Sequence, residues 1–252
     1  MALLRAEVVN WFPFPPKDET NLPRLFCFPY GGGNAVVFQN WQRLLNTCAH
    51  VYPVQLPGRG MRLQEPSYQQ LEPLINDLAT VFQPFLDRPY VLFGHSMGAL
   101  IAYELACYLQ KKNLPSPKHL IVSGFRAPHL PNPKPPIHSL PTEQFVEEIA
   151  KMNGTPQEIL ENSEYLELFL PSLRADFQLC ETYTYQKKEP LRAPITAFAG
   201  TQDPAVTVKM ISEWKQHTTN HFKLIRFAGD HFFIHYHEEA IVREIGKIIK
   251  GV

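Results

Sequence analysis

The stretch YVLFGHSMGALIAYELACYL, residues 90–109, decides the fold. It begins with an apolar run typical of a buried strand, passes through Gly94-His95-Ser96-Met97-Gly98, and continues with the apolar spacing of a helix. A strand that turns sharply into a helix at G-x-S-x-G is typical of a nucleophile elbow. Glycine fits on both sides of Ser96, since the strained turn brings neighbouring backbone too close for side chains. We therefore predict that Ser96 is a nucleophile.

Short apolar runs alternate with amphipathic stretches along most of the 252 residues. The runs, rich in β-branched and aromatic residues, predict buried strands at 24–29, 50–56, 90–94, 119–125, 194–200 and 221–229. Helical patterns lie around 35–46, 69–84, 97–111, 206–216 and 237–249. Such alternation predicts the α/β class, with a doubly wound, mostly parallel sheet and helices on both faces.

The alternation fails between the fourth and fifth strands, where residues 137–190 carry helix signals. We expect Thr142 to cap one helix and Asn153-Gly154 to end it. TPQE at 155–158 is a capping box that should start a second helix, whose spacing continues through 163–180. The first helix has an apolar face made of Phe145, Val146, Ile149 and Met152.

We predict a helical lid, residues 137–189, inserted into a core formed by 1–136 and 190–252. The lid is more apolar than a surface hairpin needs to be. Its apolar face either packs only on the core or lines an acyl tunnel through residues such as Phe145, Phe169 and Phe177.

Composition narrows the possible partners and the location. Lys plus Arg and Asp plus Glu each number 24, so no general attraction draws the chain to nucleic acid or to an anionic membrane. Cysteines 27, 48, 107 and 180 form no paired ligand motif, which predicts free thiols in a reducing compartment. The first residues lack the pattern of a signal peptide, and no stretch predicts a membrane span, so we expect a cytoplasmic protein.

A serine nucleophile needs a base, and the base needs an orienting acid. Asp203 in AGTQDP follows the fifth strand, so it should lie at the carboxyl edge of the sheet, where Ser96 also emerges. The stretch after the fourth strand, SGFRAPH, has no carboxylate. The alternatives for Asp203 and for Asp230 are ordinary turn and loop residues.

His231 follows the last strand and is the predicted base. His235 and His237 compete with it, and the spacing of His231 and His235 also fits a metal pair. No acid or cysteine set completes such a site, so we predict no metal and expect His235 and His237 near the final helix.

An oxyanion hole is usually built from the amide after the nucleophile and one from a loop after an early strand. Pro29-Tyr30-Gly31-Gly32-Gly33-Asn34 supplies such a loop. The predicted donors are the backbone amides of Met97 and Gly31, although the triple glycine could also be a flexible turn without this role.

Together these motifs resemble type II thioesterases of non-ribosomal peptide and polyketide synthase systems, which have the α/β-hydrolase fold. The resemblance rests on FPYGGG at 28–33, QLPGRG at 55–60 with Arg62, GHSMG at 94–98, GTQDP at 200–204 and GDHFF at 229–233. The chain departs from the family at Gly31, where alanine is frequent, and at Gly60, where glutamate is frequent.

The resemblance implies a hydrolase that removes acyl groups from the phosphopantetheine arm of acyl or peptidyl carrier proteins, often to free carriers blocked by unwanted acyl units. We expect the protein to be a monomer. No dissociable cofactor is implied, because the substrate carries the phosphopantetheine. The alternatives are a general carboxylesterase, an acyltransferase, a medium-chain acyl-carrier-protein thioesterase of fatty acid synthesis, and a noncatalytic protein that docks carriers.

Overall fold

A computed structural model describes residues 9–17, 20–152, 154 and 162–252. Six strands form one parallel sheet in the order β2-β1-β3-β4-β5-β6. The strands are β1 Arg24–Phe28, β2 His50–Pro53, β3 Tyr90–His95, β4 His119–Ser123, β5 Ile195–Gly200 and β6 Phe222–Phe227. The predicted doubly wound sheet is confirmed, and the carboxyl ends of its strands share one edge.

Both faces of the sheet are covered, which explains why its strands read as nearly continuous apolar runs. Side chains alternate across the sheet, so in β1 Phe26 and Phe28 join one buried cluster while Leu25 and Cys27 join another. The two clusters are the main core of the protein.

Helices pack on each face of the sheet. The described helices are α1 Trp41–Leu44, α2 Leu71–Phe82, α3 Met97–Lys111, α4 Thr142–Ala150, α5 Ser163–Glu181, α6 Val208–Ser212, α7 Phe233–Tyr236 and α8 Glu238–Lys250. Apolar residues of α2 and α3 bury against the face of Phe26, whereas those of α1 and α8 bury against the face of Leu25. This layering places α3 directly behind the turn at Ser96.

Two of the predicted helices lie at the expected positions, but each is divided into two shorter helical segments. The helix expected at 35–46 is a 3-10 turn, Ala35–Phe38, followed by α1. The side chain of Asn34 accepts the amide of Val36 and starts the tight turn. The helix expected at 206–216 is likewise divided into α6 and the 3-10 segment Glu213–His217.

The insertion between β4 and β5 contains α4 and α5. Thr142 is the first residue of α4 rather than its cap, which is Pro141, and α4 ends at Ala150, before the expected stop. The capping box at 155–158 and Asn153 lie outside the described residues. Asn162 caps α5 by accepting the amide of Tyr165. These helices share a small apolar cluster that includes Ile137, Phe145, Ile149 and Leu173.

Within the residues that the structure describes, no helix has both the length and the apolar character that crossing a membrane requires. All four cysteines are free thiols, of which Cys27 is buried and the others are partly buried.

Candidate active site

Ser96 lies in a strained turn between β3 and α3. Its backbone has φ 52° and ψ −121°, a combination that residues other than glycine rarely adopt. A Cβ at Gly94 would lie 2.0 Å from the carbonyl oxygen of Gly98, and one at Gly98 would lie 2.1 Å from that of Phe28. The two glycines are therefore required by close backbone approach, as the sequence analysis expected.

Three side chains from distant parts of the chain meet at the carboxyl edge of the sheet. Nε2 of His231 lies 2.9 Å from Oγ of Ser96, and Nδ1 of His231 lies 2.6 Å from Oδ2 of Asp203. Ser96 follows β3, Asp203 follows β5 and His231 follows β6. The arrangement connects a hydroxyl, an imidazole and a carboxylate in the order that proton transfer from the hydroxyl requires.

Asp203 is anchored as a carboxylate. Its Oδ1 accepts the backbone amides of Ala205 and Val206 at 2.8 and 2.9 Å. Burial acts to raise the pKa of Asp203, but the hydrogen bond and charge of His231 and the two amide donors outweigh it and lower that pKa. The group therefore stays ionised at neutral pH and fixes the hydrogen on Nδ1 of His231.

The alternative candidates for the acid and the base make other hydrogen bonds near the site. Oδ1 of Asp230 accepts the amide of Phe232 at 2.9 Å, which shapes the turn. Nε2 of His235 lies 3.0 Å from the hydroxyl of Tyr30, and Nε2 of His237 lies 2.7 Å from the carbonyl oxygen of Ala228. His231, His235 and His237 thus point to three different partners.

The glycine loop after β1 borders the same site. The amide of Gly33 donates to Tyr30 at 2.9 Å, and that of Gly32 donates to Oδ2 of Asp176 at 2.7 Å. Within the described part of the chain, the amide of Gly31 donates to no protein acceptor. Gly31 and Met97 both line the cavity that contains Ser96, which is the placement their predicted role needs.

A family model described as a thioesterase domain matches residues 23–249. The chain belongs to the thioesterase family. The match spans the sheet, the insertion and all three connected side chains, so the family assignment covers the complete candidate site.

Individual relatives agree over nearly the whole chain. Linear gramicidin dehydrogenase LgrE of Brevibacillus parabrevis is 46% identical over 245 residues, covering 96% of this chain and 93% of that protein. RedJ, the thioesterase of the prodiginine pathway in Streptomyces coelicolor, is 38% identical with a TM-score of 0.84, covering 95% of this chain and 98% of that chain. YbtT, the type II thioesterase of the yersiniabactin NRPS/PKS pathway, is 29% identical with a TM-score of 0.83, covering 94% and 98%.

These similarities confirm the predicted resemblance to type II thioesterases and the α/β-hydrolase fold. One relative is named a dehydrogenase, whereas the family model and both solved structures are thioesterases. The protein is a thioester hydrolase.

A cavity of about 540 Å³ opens beside Ser96 in this thioesterase. The insertion contributes Ile137, Leu140, Met152, Phe177 and Cys180 to its wall.

Phe177 also lines a smaller neighbouring cavity with Phe169. Phe145 is fully buried and packs edge-on against Phe177 at 5.5 Å between ring centroids. Of the three aromatic residues predicted to contact the substrate, Phe177 is therefore the one that lines the cavity containing Ser96.

A histidine that was not predicted from the sequence supports the thioesterase site. His95 is fully buried, with Nδ1 2.8 Å from the hydroxyl of Ser123 and Nε2 3.0 Å from the carbonyl oxygen of His231. A carbonyl oxygen can only accept, so Nε2 carries the hydrogen and Nδ1 accepts from Ser123. Burial, followed by the neighbouring His231, holds the pKa of His95 well below its usual value, so the ring is neutral.

A buried ion pair that was also not predicted joins the insertion to the core. Nη1 and Nη2 of Arg59 donate to the two carboxylate oxygens of Asp176 at 2.6 and 2.7 Å, and both side chains are 3% exposed. Arg59 belongs to the QLPGRG motif, whereas Asp176 lies on α5. A lone carboxylate on an otherwise apolar helix face was the available sequence signal.

Proposed function

We propose that this thioesterase hydrolyses acyl groups from the phosphopantetheine arm of carrier domains in non-ribosomal peptide or polyketide synthases, and so frees blocked carriers. The observation that carries the proposal is the connected series of Ser96, His231 and Asp203 beside an acyl-sized, largely apolar cavity. The NRPS/PKS pathway of YbtT supports the choice of carrier-bound substrates.

The geometry suggests a two-stage reaction. Oγ of Ser96 attacks the thioester carbon while Nε2 of His231 takes its proton, and Asp203 stabilises the resulting imidazolium. The amides of Met97 and Gly31 donate to the developing oxyanion. As the tetrahedral intermediate collapses, its C–S bond breaks and His231 protonates the sulfur. The free pantetheine thiol departs, and the acyl group stays on Oγ of Ser96 as an ester.

The second stage repeats the same transfers with water. His231 accepts a proton from water as the water attacks the acyl ester, and returns a proton to Oγ as the free acid departs. These steps need no metal and no dissociable cofactor, because the substrate supplies the phosphopantetheine.

We also propose that residues 137–189 act as a lid over a core of 1–136 and 190–252. Phe177 and Cys180 on α5 face the cavity, so this helix would contact the acyl chain. Phe169 and Phe145 would support that wall from behind. In the same proposal the protein acts as a monomer in the cytoplasm, where it meets carrier domains one at a time.

The decisive experiment compares acyl groups of graded length on a carrier domain, on coenzyme A and on a simple oxygen ester. Carrier thioesters should be hydrolysed fastest, whereas faster turnover of the oxygen ester would indicate a general carboxylesterase. Ser96→Ala should lower kcat on the order of 10⁶-fold, by analogy with serine protease knockouts. Acyl release by that variant at near wild-type rate would exclude Ser96 as nucleophile.

A fluorophosphonate probe separates the enzyme from a noncatalytic docking protein. The probe should label wild-type protein at Ser96, since its reaction needs an activated hydroxyl. Ser96→Ala is the matched control and should remain unlabelled. Absence of labelling in the wild type would contradict catalysis by this site.

A further inference from the structure

Asp176 reaches out of the lid helix α5 and binds the main chain of the glycine loop. Its Oδ2 accepts the amide of Gly32 at 2.7 Å, next to the predicted oxyanion donor Gly31. We propose that Asp176 is a positioning residue that holds this loop in its working conformation and thereby makes the oxyanion hole depend on a docked lid. The inference rests on the proposed function, because it assumes that Gly31 serves the oxyanion.

The contact lies at the place where the loop needs support. Gly32 has φ +78°, in the left-handed region that favours glycine, so Asp176 binds the loop at a conformationally demanding position. A Cβ at Gly31 would lie 3.6 Å from Cβ of Asp176, so the aspartate also packs directly beside Gly31. The bond to Asp176 holds the peptide between Gly31 and Gly32, which directly follows the Gly31 amide in the chain.

Arg59 holds Asp176 in turn. Both terminal nitrogens of Arg59 bind the carboxylate, and its Nε donates to the carbonyl oxygen of Pro57 at 3.2 Å. The QLPGRG loop, the glycine loop and the lid helix thus meet at one carboxylate. Of its two oxygens, Oδ1 serves Arg59 alone, while Oδ2 serves both Arg59 and Gly32.

Stability alone does not explain this arrangement well. A buried ion pair has to offset the desolvation of both charges, and apolar pairs of similar volume are often as stable. A carboxylate is a strong acceptor for a backbone amide, however, and no apolar residue can replace it there. Fixing a donor before the reaction is also the property that makes an oxyanion hole effective.

Two double variants isolate the bond to Gly32. R59M/D176N removes both charges but keeps an amide oxygen that can accept from Gly32, whereas R59M/D176L has a similar volume and no acceptor. We expect kcat of R59M/D176L to fall roughly 10- to 100-fold below that of R59M/D176N, less than the loss of a whole donor. KM should agree within about twofold, because the oxyanion donors bind the transition state more strongly than the ground-state thioester.

A second readout tests positioning rather than general damage. A trifluoromethyl ketone analogue of acyl-pantetheine forms a tetrahedral adduct, whereas the corresponding amide only occupies the cavity. Affinity for the ketone should fall by the same factor as kcat, and affinity for the amide should stay constant. Equal kcat values in the two double variants, or parallel losses for ketone and amide, would overturn the proposal.

Failure of this inference can be separated from failure of the proposed function. The rate at which a fluorophosphonate labels Ser96 also depends on the oxyanion donors but needs no carrier substrate. If the wild type is labelled yet cleaves no carrier thioester, the substrate assignment fails. The ratio of labelling rates between R59M/D176N and R59M/D176L still tests the role of Asp176. Should R59M/D176L not fold, R59M/D176A replaces it and the same loss is expected.

Discussion

Nε2 of His95 donates to the carbonyl oxygen of His231 at 3.0 Å, so one histidine holds the main chain of another. The bond links the nucleophile turn to the loop that carries the predicted base. His95 is itself fixed by Ser123 and closely packed, since a Cβ at Gly124 would lie 2.8 Å from its ring. The imidazole of His231 is thereby held at its distance from Ser96.

Replacement of His95 should therefore impair turnover more than binding. His95→Phe keeps an aromatic ring, although a slightly larger one, but removes the N–H, and we expect kcat to fall roughly 10-fold or more, as a small misplacement of the base can cause. KM should change little, and His95→Gln should recover part of the loss if its amide reaches the carbonyl. Steady-state kinetics on a carrier thioester measure the effect, and a change confined to KM would contradict this role.

Substitution by alanine should have little effect at Gly31 but should be damaging at the adjacent Gly32. At Gly31 a Cβ would meet Asp176 at an ordinary 3.6 Å, so Gly31→Ala should keep kcat/KM within about threefold, because a backbone amide acts there. At Gly32 a Cβ would lie 2.8 Å from Leu173 and the residue would keep φ +78°. Gly32→Ala should therefore lower both kcat and the melting temperature. Equal behaviour of the two variants would refute this distinction.

The fold was predictable because strands β1 to β5 are almost entirely buried and so have nearly continuous apolar sequences, whereas the edge strand β6 exposes Lys223 and Arg226. Ser96, Asp203 and His231 could be placed because each follows a strand, and parallel strands bring their carboxyl ends to one edge. Helix continuity at 35–46 was not predictable from periodicity, since the capping bond of Asn34 starts a short 3-10 turn instead.

The supporting contacts could not be predicted in the same way. Arg59 and Asp176 are 117 residues apart, and no local rule relates a loop arginine to an aspartate of the insertion. The bond from His95 to His231 spans 136 residues and ends on a backbone atom, which has no side-chain signature. Such pairs depend on the final packing of the insertion and loops rather than on strand order.

Asp203→Asn tests the acid of the candidate site. An asparagine can orient the imidazole in the wrong tautomer, and the same change in a serine protease lowers kcat about 10⁴-fold. We expect a loss of similar order, with carrier binding unchanged. Asp230→Asn is the matched control in the neighbouring turn and should stay within about threefold of wild type, because an asparagine oxygen can still accept the Phe232 amide. A larger effect for Asp230 than for Asp203 would reverse the assignment.

Buried histidines should make the fold sensitive to mild acid. His217 is buried, with Nδ1 2.9 Å from the hydroxyl of Tyr103 and Nε2 2.8 Å from Nδ1 of His129. Burial first, then His129 and Lys188, lower the pKa of His217 to about 4. Between pH 6.5, the ordinary histidine pKa, and about pH 4, the His217 imidazole is therefore protonated in the unfolded chain but neutral in the folded protein.

The free energy of unfolding should thus fall as pH decreases from about 6.5 to 4, by up to ~1.4 kcal/mol per pH unit from His217. His217→Gln removes this proton site, so its unfolding free energy should depend less steeply on pH in that window. Urea unfolding at several pH values measures both slopes, and the two curves should run parallel above about pH 7.5, where neither state binds the proton. Identical slopes between pH 4.5 and 6 would mean that His217 takes up its proton in the folded protein as readily as in the unfolded chain.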